Sequence, residues 1–367
     1  MTSRLSHSAV SVLAIAGWLL FAWISWAAIA WGWRETTGGV RQVDWHVYLA
    51  GARDLAVQQL YRHPLELQGA VLSSPVFNLP PLAAGWALPL VGVPVVVGGE
   101  IWQAAAALCV AATAVIALHL GGLRRPLLRA GLLLGPLSLS LLYLEGLHLG
   151  TNNYLVLALV AGFAWAHLAG RQRAAGLLLA LAVGTKLWPI VLAVPAIRER
   201  RWRTLRWLAA GLGLQAVLSF AWLGQGFVSD LMVSLQARIP PTGLLIGPSA
   251  DPMLRGAWNA GLGVAIAVLL LALPLRGRAG LGVAMLAGLA AIPNLWLTYG
   301  LTALLAVDLV IADLLPGWDR ARRPSAQAHA HPDQQGQQDG QQKQVAGREQ
   351  RRGPRSEVNE GLVTEGK

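Results

Sequence analysis

Apolar stretches of about 20 residues recur along this chain from Ala9 to Leu315, separated by short turns that carry most of its charge. A hydrocarbon core of about 30 Å takes roughly 20 apolar residues of helix to cross, and inside it every backbone N–H and C=O must find its partner within the protein. The composition agrees: 55% of the 367 residues are hydrophobic, 13% are charged, and the mean hydropathy is +0.50. That is too apolar for a soluble domain of this size. The expected fold is therefore an all-α polytopic membrane protein with about nine to eleven crossings, some of them half-helices. The first stretch, Ala9 to Trp31, is long and Trp-rich, without a convincing small-residue cleavage site before Trp31. It reads as a retained span rather than a signal peptide.

The formal charge of +11 does not imply nucleic acid, because the arginines form no single face. They sit between spans, at Arg124, Arg125 and Arg129, at Arg171 and Arg173, from Arg198 to Arg206, and at Arg276 and Arg278. This is the positive-inside pattern. The one cysteine, Cys109, lies in an apolar helix, which excludes disulfides and cysteine-based zinc sites. With the arginine turns in the cytoplasm, the outer segments are a long first loop (about 32–78), residues 145–153, 224–255, and the turn at Pro293 to Trp296. The break at Gly184, Thr185 and Lys186 also faces outward.

Residues 79–120 could cross twice, but two crossings would put Arg124 and Arg125 outside. The prolines and glycines from Pro80 to Val97 favour a short re-entrant element followed by one span. From Asp319 the chain changes to nine Gln with mixed charges and no Trp, Tyr or Phe. Such a segment buries too little apolar surface to order itself. The expected organisation is a membrane domain over 1–318 and a disordered cytoplasmic tail over 319–367, where His329 and His331 are too few to argue for a metal.

The outer segments hold the mixed polar residues that chemistry requires. Asp44, Trp45, His46 and Tyr48 stand together, with Tyr48, Leu49, Ala52, Leu55 and Ala56 at helical spacing. This predicts an interfacial helix in which Asp44 is either an N-cap or a reactive carboxylate. Lys186 is an ammonium between apolar runs; it either snorkels to headgroups or meets an anion such as a lipid phosphate. Asn152 and Asn153 open a span, where they can cap the helix or hold a sugar hydroxyl or an anion, and His148 is open to the same two readings. The chain lacks a phosphate-binding Gly-rich loop with Lys-Ser/Thr, a His-Glu-x-x-His and a Gly-x-Ser-x-Gly.

Taken in order, these segments resemble glycosyltransferase family 87, the polyprenyl-phosphate-mannose-dependent mannosyltransferases of bacterial envelopes, built on the GT-C membrane fold. The resemblance runs from about Gly17 to Leu315. It is carried by Asp44, Trp45, Tyr48, Leu60 and Tyr61; by Pro80, Pro81, Leu82, Pro89 and Leu90; by Gly150, Thr151, Asn152 and Asn153; by Ala175 to Leu178, Lys186 and Pro189; and by Pro293 and Trp296. Thr151 replaces the Gln of the family pattern. Leu297, Thr298 and Tyr299 follow Trp296 where the family tends to show a His pair.

The resemblance implies an inverting transfer of a hexose, mannose in the family, from a polyprenyl-phosphate sugar to a glycolipid or glycan acceptor at the outer face of the cell membrane. Asp44 would be the general base and Lys186 would bind the donor phosphate. His46, Tyr48, His148, Asn152, Asn153, Trp296 and Tyr299 are the candidate substrate-binding residues. The scheme needs no metal and no cofactor. A lipid-linked-sugar transporter or flippase and a catalytically silent envelope-assembly protein are the alternative readings.

Overall fold

The computed structural model describes residues 7–32, 43–61, 66–67, 70–71, 77–123, 125–235, 251–292 and 297–314. Trp296 and Pro293 lie outside them, as does the tail expected over 319–367. The helices in chain order are α1 (His7–Gly32), α2 (Val43–Ala56), α3 (Pro81–Gly85), α4 (Val95–Leu120), α5 (Pro126–Ser138), α6 (Leu141–Leu149), α7 (Asn153–Leu168) and α8 (Gln172–Thr185). They continue with α9 (Ala193–Arg198), α10 (Trp202–Leu223), α11 (Phe227–Leu235), α12 (Pro252–Ala257), α13 (Gly263–Ala272), α14 (Gly277–Ala290) and α15 (Gly300–Leu314). A two-residue antiparallel pair, β1 (Glu66–Leu67) with β2 (Ala70–Val71), is the only sheet among the described residues. The protein is thus an all-α polytopic membrane protein.

Among the described residues, three helices are long and apolar enough to cross a membrane, over Ser8–Ala30, Val95–Leu120 and Trp202–Leu223. A fourth span forms if α5 and α6, bent by 79° at their junction, count as one. The other apolar stretches form six shorter elements of 10–17 residues. A 14-residue helix rises only about 21 Å, less than the hydrocarbon thickness, so broken and partial spans make up more of the fold than hydropathy alone conveys. Between 79 and 120 only α4 has spanning length, and Pro81–Leu90 is one of the short elements.

In lipid, helices associate through close approach of small residues rather than through hydrophobic expulsion from water. Gly17 of α1 lies so close to the Gly131 carbonyl of α5 that a Cβ would overlap it, and Gly131 meets the Ala14 carbonyl in the same way. Gly176 of α8 similarly abuts the Thr204 carbonyl of α10. At the arginine end of the bundle, Glu199 accepts from Arg201 Nε (2.7 Å) and the Gly277 N–H (2.9 Å), and lies 3.1 Å from His167 Nε2. Arg201 also donates to the His167 carbonyl at 2.6 Å. This clasp joins the end of α7 to the starts of α10 and α14. Burial pushes the Glu199 carboxyl up, but the Gly277 amide and the Arg201 guanidinium outweigh it and hold it below the ordinary carboxylate value.

A second, smaller core forms around α2. Trp45, Tyr48 and Leu49 are buried there with Phe77, Trp102, Leu223 and Phe227. Trp45 Nε1 donates to the Val95 carbonyl (3.1 Å), Trp102 Nε1 to the Gly150 carbonyl (2.8 Å) and Trp222 Nε1 to the Leu55 carbonyl (2.6 Å). The indoles bury a large apolar body while satisfying their single donor, which suits them to fixing an interfacial helix on a bundle. As a result, the first turn of α2 is locked against the α6–α7 junction.

Candidate active site

Asp44 lies in the first turn of α2, where the helix dipole favours an acid. Its carboxylate does not merely close the helix: it accepts a hydrogen bond from Thr151 and lies within electrostatic reach of Lys186 and Glu145. Burial raises its pKa above the ordinary value. The Lys186 charge and the Thr151 hydroxyl offset part of that rise, and the Glu145 charge adds to it. A raised pKa makes the carboxylate a stronger proton acceptor once it is ionised.

Thr151 is positioned by the turn between α6 and α7. Gly150, the residue after α6, has φ +67°, and a Cβ on it would stand 2.8 Å from Trp45 Cβ. Only glycine fits this combination of left-handed backbone and close approach. The Tyr48 hydroxyl accepts from the Asn152 N–H at 3.4 Å and pairs with Thr151 as well. Burial raises the Tyr48 phenol far above its usual range, with the Asp44 charge second in effect, so it stays protonated.

Asn152 occupies the N-cap position of α7, yet its side chain makes no capping bond. It is 1% exposed, and both its amide oxygen and its amide nitrogen are buried without a hydrogen-bond partner. Asn153 is fully engaged by contrast. Its Nδ2 donates to Thr298 Oγ1 (2.5 Å), and its Oδ1 accepts from Lys186 Nζ.

Lys186 ends α8 in an extended conformation, φ −144° and ψ 141°. Its ammonium does not snorkel. It is held by Asn153 and by the Tyr299 hydroxyl at 3.2 Å, 5.2 Å from the Tyr299 ring centroid. The preceding Thr185 accepts from Trp86 Nε1 at 2.9 Å, which ties the Pro81–Leu90 element to the same point.

The structure therefore gathers Asp44, Tyr48, Asn152, Asn153, Lys186 and Tyr299 from four separate parts of the chain. His46 is half-buried and takes no part in the hydrogen bonds among these groups, and burial lowers its pKa. His148 is exposed. Thr298 and Tyr299, which follow Trp296 in the chain, are both buried. Two residues absent from the sequence-based set, Thr151 and Thr298, prove to be the contacts of Asp44 and Asn153. The signal for both was their departure from the family pattern at those positions.

Residues 77–315 match the sequence model of glycosyltransferase family 87, about two-thirds of the chain. The match includes Thr151, Asn152, Asn153, Lys186 and Tyr299, and begins after Asp44, which joins it through Thr151 and Lys186. Comparison with curated proteins and with solved structures returned no match. On its sequence, and with a helical membrane architecture to accompany it, the chain belongs to glycosyltransferase family 87 and is a membrane glycosyltransferase.

Proposed function

We propose that the protein transfers a hexose, mannose by the resemblance, from a polyprenyl-phosphate sugar to a hydroxyl of an envelope glycolipid or glycan, with inversion at the anomeric carbon. In this reading the site faces the extracytoplasmic side of the cell membrane, which the positive-inside pattern of the arginine turns supports. The acceptor O–H loses its proton to Asp44 as its oxygen bonds to C1 of the sugar. The C1–O bond to phosphate breaks, and polyprenyl phosphate leaves as a monoester carrying one more negative charge than the diester.

The buried, unpartnered Asn152 amide carries this reading. A side chain with one acceptor and two donors, unsatisfied a single turn of chain from the Thr151–Asp44 pair, is costly to the resting protein unless a polar ligand arrives. A sugar ring offers hydroxyls that both donate and accept. Lys186 supports the phosphate half. An ammonium has three N–H donors, two of which go to Asn153 and Tyr299, leaving one for a phosphate oxygen. The Tyr299 hydroxyl accepts from Lys186, so its own proton is available to the same anion.

The test uses purified protein in detergent with radiolabelled polyprenyl-phosphate mannose and candidate glycolipid acceptors. Wild type forms labelled product, and Asp44→Asn lowers turnover by about 10²- to 10⁴-fold with donor binding retained. Undiminished turnover by the Asn variant overturns the general-base assignment.

A further inference from the structure

A second polar locus lies at the opposite end of α8 from Lys186. The 14 residues of this helix place the two roughly 21 Å apart. Here the starts of α8 and α10 enclose a cavity of about 520 Å³ whose wall carries Arg171, Arg173 and Arg203, with Gln172 and Leu177. We propose that this cavity binds a phosphate group, presented by an anionic lipid headgroup or as the free anion.

The arginines are held ready for a ligand. The Arg171 guanidinium stacks on Trp165 with its carbon 4.5 Å from the ring centroid, and that of Arg173 stacks on Trp207 at 4.4 Å. Each indole covers one face of its guanidinium and leaves the N–H donors free, in the fork that matches phosphate oxygens. Among the described residues, no carboxylate pairs with them. Among the described residues, the ion pairs at this end of the bundle join Glu199 to Arg201 and His167, and bypass the three arginines of the cavity. Three like charges around one cavity repel one another, and an anion placed between them removes that cost.

Two further features define the ligand. The first turn of α8 opens on the same cavity; its Gln172 N–H donates to the Gly170 carbonyl, and the Arg173 and Ala174 amides have no acceptor within the helix. Leu177 supplies an exposed apolar wall beside it, on the side where the glycerol and acyl portions of a lipid would lie. Basic pockets between membrane helices are suited to headgroups in this way. The site uses none of the residues of the proposed transfer reaction, so its occupancy is measured without turnover.

Native mass spectrometry of the full chain in a zwitterionic detergent tests the assignment, with phosphatidylglycerol, phosphatidylcholine and inorganic phosphate titrated separately. Wild type is expected to retain phosphatidylglycerol in preference to phosphatidylcholine. Arg173→Gln/Arg203→Gln should lose that adduct by roughly 30-fold, the worth of two interfacial arginines to an anionic headgroup. Arg203→Gln alone, a change at one exposed residue, should give an intermediate loss, and Arg129→Gln/Arg206→Gln should leave binding intact. Phosphate binding that depends on Arg173 and Arg203, without preference between the two lipids, supports the site with a soluble anion as its ligand. Equal retention of phosphatidylglycerol and of phosphate by wild type and by an Arg173→Gln/Arg203→Gln variant of unchanged elution and helicity overturns the proposal, as does failure of wild type to bind either.

Discussion

Replacing Asn152 by leucine should stabilise the resting protein and cripple it as an enzyme. The side chain is 1% exposed and neither its oxygen nor its nitrogen has a partner. Each such group costs about 1–3 kcal/mol relative to a satisfied one, so the pair burdens the fold by roughly 2–6 kcal/mol. Leucine shares the branched skeleton of asparagine, with bulkier methyl groups in place of the amide oxygen and nitrogen, and the backbone at this position, φ −81° and ψ 2°, accepts any L-residue. Repacking an apolar side chain of slightly different shape takes back about 1.5 kcal/mol. A net gain of about 0.5–4.5 kcal/mol follows. In the same variant a donor sugar loses its hydrogen bonds to the amide and leaves hydroxyls unpaired against leucine, which should lower kcat/KM by roughly 10- to 100-fold. Thermal unfolding followed by tryptophan fluorescence in detergent reads the first effect, and a donor concentration series reads the second. A variant that melts lower than wild type and keeps its kcat/KM would refute the reasoning, since the amide would then be serving the fold.

Three other outcomes are expected. Because the Asp44 pKa is raised and the base must be ionised, kcat/KM should fall as pH drops through that raised value; Thr151→Val removes a hydrogen bond that favours the carboxylate, so the acid limb should move to higher pH, and an unmoved limb would separate Thr151 from Asp44. A carboxyl whose folded pKa is raised contributes stability that is complete below the unfolded value, about 3.9, and is lost as pH rises through the folded one, so Asp44→Asn should melt at or above the wild-type temperature at neutral pH, and a marked drop would give Asp44 a structural role. Gly150→Ala combines about 1–2 kcal/mol of left-handed backbone strain with a clash 2.8 Å from Trp45 Cβ worth about 1–3 kcal/mol, and should reduce both stability and turnover; full activity would show that the α6–α7 turn does not position Asp44.

The chain's apolar stretches determined by themselves that it is a helical membrane protein, because a bilayer admits few other solutions to backbone hydrogen bonding. They also made Asp44 and Lys186 conspicuous, since ionisable groups beside apolar runs are costly and need a reason. The number of full spans was less legible. Helix ends at Gly150, Lys186 and the α5–α6 bend depend on glycine conformation, side-chain contacts and neighbouring backbone, whereas hydropathy averages over them. Only the tertiary structure decided which polar groups meet. Asp44 finds Thr151 across 107 positions of chain and Lys186 finds Tyr299 across 113. Apolar periodicity sets the lengths and faces of helices, but the pairing of their ends is fixed by close contacts of small residues and by short, directional hydrogen bonds, neither of which leaves a period in the sequence.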